Sequence, residues 1–330
     1  MEEISYEEFV YEFVAELQLK LAPYDIQVSI VNKMRNNSIL EKSIKVDIPG
    51  TNASPSIGTL SLYEHCCDCD DMPAVVRSLA EKIITERDRQ IDTLSVLSKE
   101  NIIKSTYLMV VNTASNKELL ADTPHFLIAE GELAAIPRLS INVGGKNGSI
   151  IIKNGMLPVL QMTGEEILHI AKNNMVEQNL FEINSLLAET MRLMQEKGED
   201  ISDDFSEFFT ENTPKAFIVS NKDRAYGAAC LACPEIIGTA IQKMGIDCYI
   251  LPSSIHDVIL IEKKGDFNEI EELRDMVKHV NRTEASANEI LSDQVFQYNA
   301  KTKKIEIART EQELQEMTQS APHKSHGMHM

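Results

Sequence analysis

Two aliphatic runs, "DCYILP" at 247–252 and "HDVILIE" at 256–262, are separated by only Ser253, Ser254 and Ile255. A connection this short is a turn rather than a helical crossover, so the pair reads as a strand-turn-strand unit. The same reasoning applies upstream. Val28 and Ile30 alternate with polar neighbours, Asn36 and Asn37 supply turn chemistry, and Ile44, Val46 and Ile48 alternate again, which predicts a hairpin. In "LAAIPRLSINVGGKNGSIIIKN" two strands meet at Gly144, Gly145, Asn147 and Gly148.

Helices are written at the other period. Tyr6, Phe9, Val10, Phe13, Val14, Leu17 and Leu21 recur at three and four residues and form one apolar stripe. A short strand, "SIGTLSL", is expected to lead through "YEHCCDCDDMP" into a long helix from Pro73 to about Leu97. Thr163 followed by Glu166 has the form of a capping box. "STYLMVVN" reads as a strand and "NKELLAD" as a short helix. Beyond residue 205 strand "KAFIVS" and helix "PEIIGTAIQKMG" precede the strand-turn-strand unit, and helix "FNEIEELRDMVKHVN" and strands "QVFQYN" and "KKIEIA" follow it. These elements predict an α+β fold with mixed or antiparallel sheets and flanking helices, arranged as two lobes. The expected organisation is an N-terminal α+β region over 1–175, a helical connection over 176–204, a C-terminal region over 205–317 and a tail over 318–330 too poor in apolar residues to order itself.

The 330 residues carry 32 Lys and Arg against 51 Asp and Glu, a net charge of −19 that repels phosphate backbones, and no basic patch offsets it. Nucleic acid is therefore not an expected partner. No run of eighteen or more apolar residues is present, and the acidic, amphipathic start lacks the pattern of a secretory signal, which points away from a membrane and toward the cytoplasm. Cys66, Cys67, Cys69, Cys230, Cys233 and Cys248 are then expected to be reduced.

Several stretches resemble a bacterial family known as domain of unknown function 5688, met mostly in anaerobic Firmicutes: "KMRNNSIL", "SPSIGTLSLYEH", "VNTASNKELLADTPH", "GSIIIKN", "SNKDRAYGAACLACPEIIGTAIQKMGIDCYILPSSIHDVILI" and "NEILSDQVFQY". "YGAA", a Pro soon afterwards, and "YILPSSIH" before an acidic residue carry most of the likeness. "HCCDCDD" stands where relatives have a tyrosine-rich, glycine-containing stretch, and Cys233 where they have apolar or aromatic residues. The resemblance implies a cytoplasmic bacterial protein of one architecture and assigns it no activity.

The candidate sites are few. Cys66, Cys67 and Cys69 are zinc ligands by type, but adjacent Cys66 and Cys67 do not readily face one ion, and Cys230 and Cys233 at a helix start read as buried small residues. His323, His326 and His329 lie in the tail and read as incidental. "VGGKNG" lies in a hairpin turn, not between a strand and a helix N-terminus, so no phosphate site follows. His169 beside Glu165 and Glu166 reads as a helix face, and His125 after Pro124 as a hydrogen-bonded strand start that joins the binding candidates. No cofactor is expected.

The turn remains. Alternation lets Ser254 and His256 share a face while Asp257 points away, so these residues alone make no triad. A Ser254/His256 dyad would need a distant acid such as Asp223 or Asp293, and "LPSSI" has none of the glycines of a nucleophile elbow. In the structural reading Pro252 ends a strand and Ser253 and Ser254 bond the turn backbone. A polar patch is expected from Asn221, Tyr226, His256 and Asp293, with Ser253 and Asp257 as further binding candidates. The favoured function is a non-enzymatic module that binds another protein. A hydrolase using Ser254 and His256, and an acidic mimic of DNA, are the alternatives.

Overall fold

A computed structural model describes residues 4–51, 54–69, 71–88, 96–143, 146–197, 213–265 and 268–320. The chain forms two compact units, Met1–Lys104 with Ile141–Gly148, and Ser105–Ser140 with Ser149–Met330. Every strand pair whose register is described is antiparallel, and the fold is α+β.

In the first unit α1 (Tyr6–Leu21) starts on a capping box in which Ser5 and Glu8 satisfy each other's backbone N–H. It buries Phe9, Val10, Phe13, Leu17 and Leu21, the stripe read from the sequence. Strands β1 (Gln27–Met34) and β2 (Leu40–Asp47) pair with Val28 opposite Val46 and Ile30 opposite Ile44. Asn37 and Ser38 take positive φ between them, a conformation that asparagine tolerates well. β3 (Ser56–Gly58) adds to β2.

The lead-in "YEHCCDC", expected as a connection, is helical instead: α2 spans Leu60–Cys69. Glu41 accepts the Leu60 N–H at 3.2 Å, and Leu62, Tyr63 and Cys66, spaced one helical turn apart, pack on the core of α1. α3 (Met72–Glu86) begins at Asp71, whose carboxylate accepts the Ala74 N–H, with Pro73 in the first turn. The expected single helix to Leu97 ends at Glu86, residues 89–95 lie outside the described residues, and α4 (Lys99–Ser105) is separate.

β4 (Thr106–Asn112) and β5 (Phe126–Ile128) of the second unit flank β6 (Leu133–Val143), and β7 (Lys146–Ile151) also pairs with β6; the stretch Ile141–Gly148, which holds the end of β6 and the start of β7, is grouped with the first unit. The hairpin glycines Gly144 and Gly145 lie outside the described residues. Short helices α5 (Lys117–Ala121) and α6 (Leu157–Leu160) precede α7 (Gly164–Glu177), which starts on the expected Thr163/Glu166 capping box.

A six-stranded sheet runs in the order β13-β12-β10-β11-β9-β8, from β8 (Phe181–Ser185), β9 (Ala216–Asn221), β10 (Cys248–Leu251), β11 (Asp257–Glu262), β12 (Phe296–Asn299) and β13 (Lys304–Ile307). The segment expected as a helical connection thus supplies edge strand β8, paired from Phe181 opposite Asn221 to Ser185 opposite Phe217, before α8 (Leu186–Lys197). A 3₁₀ segment, Gly227–Ala232, is wholly buried, and α9 (Pro234–Met244) follows with Pro234 at its first position and Gly245 closing it at positive φ. Helix α10 (Glu269–Thr283) buries Leu273 and Val277. The tail was expected to lack order from 318, yet α11 (Glu311–Ser320) runs through that point. Thr310 caps it, and Arg274 clasps Glu313 and the Ala308 carbonyl. Residues 321–330, with all three tail histidines, lie outside the described residues.

Candidate functional site

The turn between β10 and β11 is held from three sides by backbone bonds. Ser254 N–H donates to the Asp257 carbonyl at 3.2 Å, Ile255 N–H to the Glu289 carbonyl at 2.9 Å, and Ala228 N–H to the Ile255 carbonyl at 3.4 Å. The Ser254 hydroxyl accepts the backbone N–H of His256 at 2.9 Å, the local serine turn that competes with any other use of that oxygen. It bonds the backbone of His256, not its ring.

The ring of His256 is also engaged with backbone. Its Nδ1 accepts the N–H of Tyr226 at 3.2 Å, which leaves the proton of the neutral imidazole on Nε2. Nε2 faces Glu289 Oε1 at 3.6 Å, a residue that no local pattern joins to the turn. The Tyr226 and His256 rings lie 5.6 Å apart, and the buried Ser220 hydroxyl donates to the His256 carbonyl at 3.0 Å. Asp257 belongs to a different set: burial pushes its carboxyl up, opposed by a hydrogen bond from the Ser253 side chain.

Asn221 closes the neighbouring loop, with Oδ1 accepting the Ala225 N–H at 2.9 Å and Nδ2 donating to the Ala225 carbonyl. Arg224 and Tyr226 both sit at positive φ in this loop. The next residue has no room for a side chain, because a Cβ on Gly227 would stand 2.4 Å from the His256 carbonyl oxygen and 2.6 Å from the Asn221 nitrogen. These contacts weld "SNKDRAYG" to "PSSIHD". Arg224 in turn reaches Glu189 at 2.5 Å, with Arg192 on the same carboxylate at 2.7 Å. The Arg224 hydrogen bond, then that of Arg192, holds the Glu189 carboxyl down at about 2.

The remaining expected residues fall elsewhere. Asp293 is exposed and accepts from Asn281 Nδ2 at 2.8 Å, and no hydrogen bond or ion pair among the described residues ties it or Asp223 to His256. His125 bonds the Thr123 carbonyl through Nδ1 at 2.9 Å and lines a separate open cleft of about 590 Å³ with Pro124, Phe126, Leu157, Leu168 and His169. Cys66 is buried in the first unit and Cys67 exposed, and the side chain of Cys69 lies outside the described residues. Among the described residues no three of His, Cys, Asp and Glu gather as a metal site would require. Burial pushes the thiols of Cys230, Cys233 and Cys248 up, Cys233 to about 12 and Cys248 to about 11.

Two further residues beside the turn escaped sequence reasoning, Glu289 and Arg138. Arg138 on β6 is directly opposite Tyr107 on β4, and its guanidinium carbon stands 4.3 Å from the centre of the Tyr226 ring. Both positions depend on pairings across more than 30 residues, for which local pattern holds no signal. No described helix is long and apolar enough to cross a membrane. A family model described as a family of unknown function (DUF5688) matches residues 6–300, so the chain belongs to that family. No curated protein and no solved structure matches it.

Proposed function

We propose that this member of the DUF5688 family is a non-enzymatic binding module of the bacterial cytoplasm whose partner is another protein. One observation carries the non-catalytic part: the Ser254 hydroxyl and the His256 Nδ1 each accept a backbone N–H, so neither is left to act as nucleophile or as base toward the other. Support for a protein partner comes from α10 and α11. Arg274 and Glu313 tie these two helices at 2.7 Å, and both carry exposed apolar side chains: Met276 and Val280 on α10, Leu314 and Met317 on α11. The charge of −19 suits a protein surface better than a phosphate backbone or an anionic membrane.

The test has two parts. A panel of activated esters is offered to the protein and to its His256→Ala variant; equal, background-level turnover is expected, and turnover that the variant abolishes would defeat the non-catalytic reading. In the cells that make the protein, cross-linking is expected to capture a partner that a Met276→Glu, Leu314→Glu variant loses. Recovery of nothing above background by the unaltered protein would count against a protein partner.

A further inference from the structure

Several arginines of this acidic chain sit on carboxylates, among them Arg35 with Glu41, Arg224 with Glu189, Arg274 with Glu313, and Arg309 with Glu130. Arg138 does not. It is half-buried on β6, and among the described residues no carboxylate lies within ion-pair distance and no atom accepts a hydrogen bond from its guanidinium. Two aromatic rings hold it instead, Tyr226 with its centre 4.3 Å from the guanidinium carbon and Tyr107 at 5.9 Å. Tyr107 is fixed in turn by its hydroxyl bond to Gln178 at 3.0 Å and by its register opposite Arg138.

Within this holder the guanidinium is divided. Nε is buried without a partner, whereas the two Nη nitrogens are not among the buried orphans and so keep access to solvent. A planar guanidinium stacked on aromatic faces, with its Nη donors not fully buried, can accept an oxyanion through two parallel hydrogen bonds. Leaving it unneutralised is costly, since burial works against the charged form of Arg138. Of the groups that favour its charged form, Asp223 is the carboxylate, and it is exposed on the loop of Tyr226.

We propose that Arg138, between Tyr107 and Tyr226, is a binding site for a ligand carboxylate, held end-on by the two Nη groups. A single carboxylate matches the single guanidinium. A phosphate dianion would bring a second negative charge toward Asp223 with nothing to meet it. The site adjoins the welded turn through Tyr226, which contacts His256 by its backbone N–H and by its ring. It does not depend on the identity of any protein partner.

The Nε–H of Arg138 is its own reporter. In a ¹⁵N-labelled full-length chain its resonance is assigned by its loss in Arg138→Lys, and the protein is titrated with acetate, benzoate and inorganic phosphate. The resonance is expected to move saturably with the carboxylates, with half-saturation on the order of 10 mM for so small a probe, and to need at least several-fold more phosphate. Asp223→Asn, at an exposed position that leaves the fold alone, is expected to tighten carboxylate binding a few-fold by removing a competing charge. A resonance that no carboxylate moves would overturn the proposal. So would an Asp223→Asn variant that binds the carboxylates no more tightly than the parent.

Discussion

Replacing Gly227 by alanine tests the weld between the two loops at its tightest point. The new Cβ would stand 2.4 Å from the His256 carbonyl oxygen, 2.6 Å from the Asn221 nitrogen and 2.7 Å from the Ser220 Cα. Ordinary contact begins at 3.4 Å, so the nearest atom must retreat by about 1 Å, and all three obstacles are backbone. A flexible side chain could swing aside; β9 and the turn cannot without breaking the Ser220–His256 and Tyr226–His256 hydrogen bonds. Overpacking of this kind costs about 3 kcal/mol, at the upper end of the usual range. For a unit of this size that corresponds to a fall of roughly 6–12 °C in Tm. Gly155→Ala is the control, because nothing lies within 4 Å of its added Cβ, and it should stay within about 0.5 kcal/mol of the parent. Calorimetric melts of the three proteins decide the matter. If Gly227→Ala melts within 2 °C of the parent, the close packing of the two loops described above is wrong.

Two other outcomes follow from the same geometry. Glu189 is held down at about 2 against an ordinary 4.5, so its ion pairs stabilise the fold above the unfolded value and lose that contribution as pH falls toward 2. Glu189→Gln should therefore cost about 1 kcal/mol at pH 7, given its half-exposed arginine partners, with the cost vanishing near pH 2; a urea midpoint difference that persists at pH 2 would refute the assignment. Thiol labelling at pH 8 should modify exposed Cys67 in the native protein and reach Cys230, Cys233 and Cys248 only on unfolding, as peptide mapping would show; native labelling of Cys233 would contradict its burial.

Where the apolar pattern ran long and one side met a core, the sequence was readable. Phe9, Phe13, Leu17 and Leu21 fix α1 because four turns share one buried stripe, and the short span from Pro252 to His256 leaves β10 and β11 no alternative to antiparallel pairing. Shorter elements escaped. In α2 only Leu62, Tyr63 and Cys66 mark the inward side, and the run of Cys and Asp around them masks the period. β8 hides in a charged stretch because an edge strand exposes most of its residues; Glu182, Ile183, Asn184 and Ser185 all face solvent. α11 has only Leu314 and Met317 as apolar residues near its middle, and both are exposed, so its order rests on the distant Arg274.

The site divided in the same way. Strand alternation predicts that Ser254 and His256 share a face apart from Asp257; in the structure Ser254 bonds the His256 backbone N–H, and the Asp257 carboxyl takes a hydrogen bond from Ser253. That Ser254 would be taken by a backbone N–H was the local turn chemistry of serine, legible from "PSS". Glu289 and Arg138 were not legible, since one arrives from the segment after α10 and the other from β6, and nothing in their neighbours announces the meeting.

The most direct test of the account is the protonation of the His256 ring. Nitrogen spectroscopy of the imidazole, assigned by the signal lost in His256→Gln, should find in the neutral ring an unprotonated, hydrogen-bond-accepting Nδ1 and a proton on Nε2. A neutral ring protonated at Nδ1 would break the bond from Tyr226, free the imidazole for chemistry with a distant acid, and contradict the reading of this turn as a structural clasp in a non-catalytic protein.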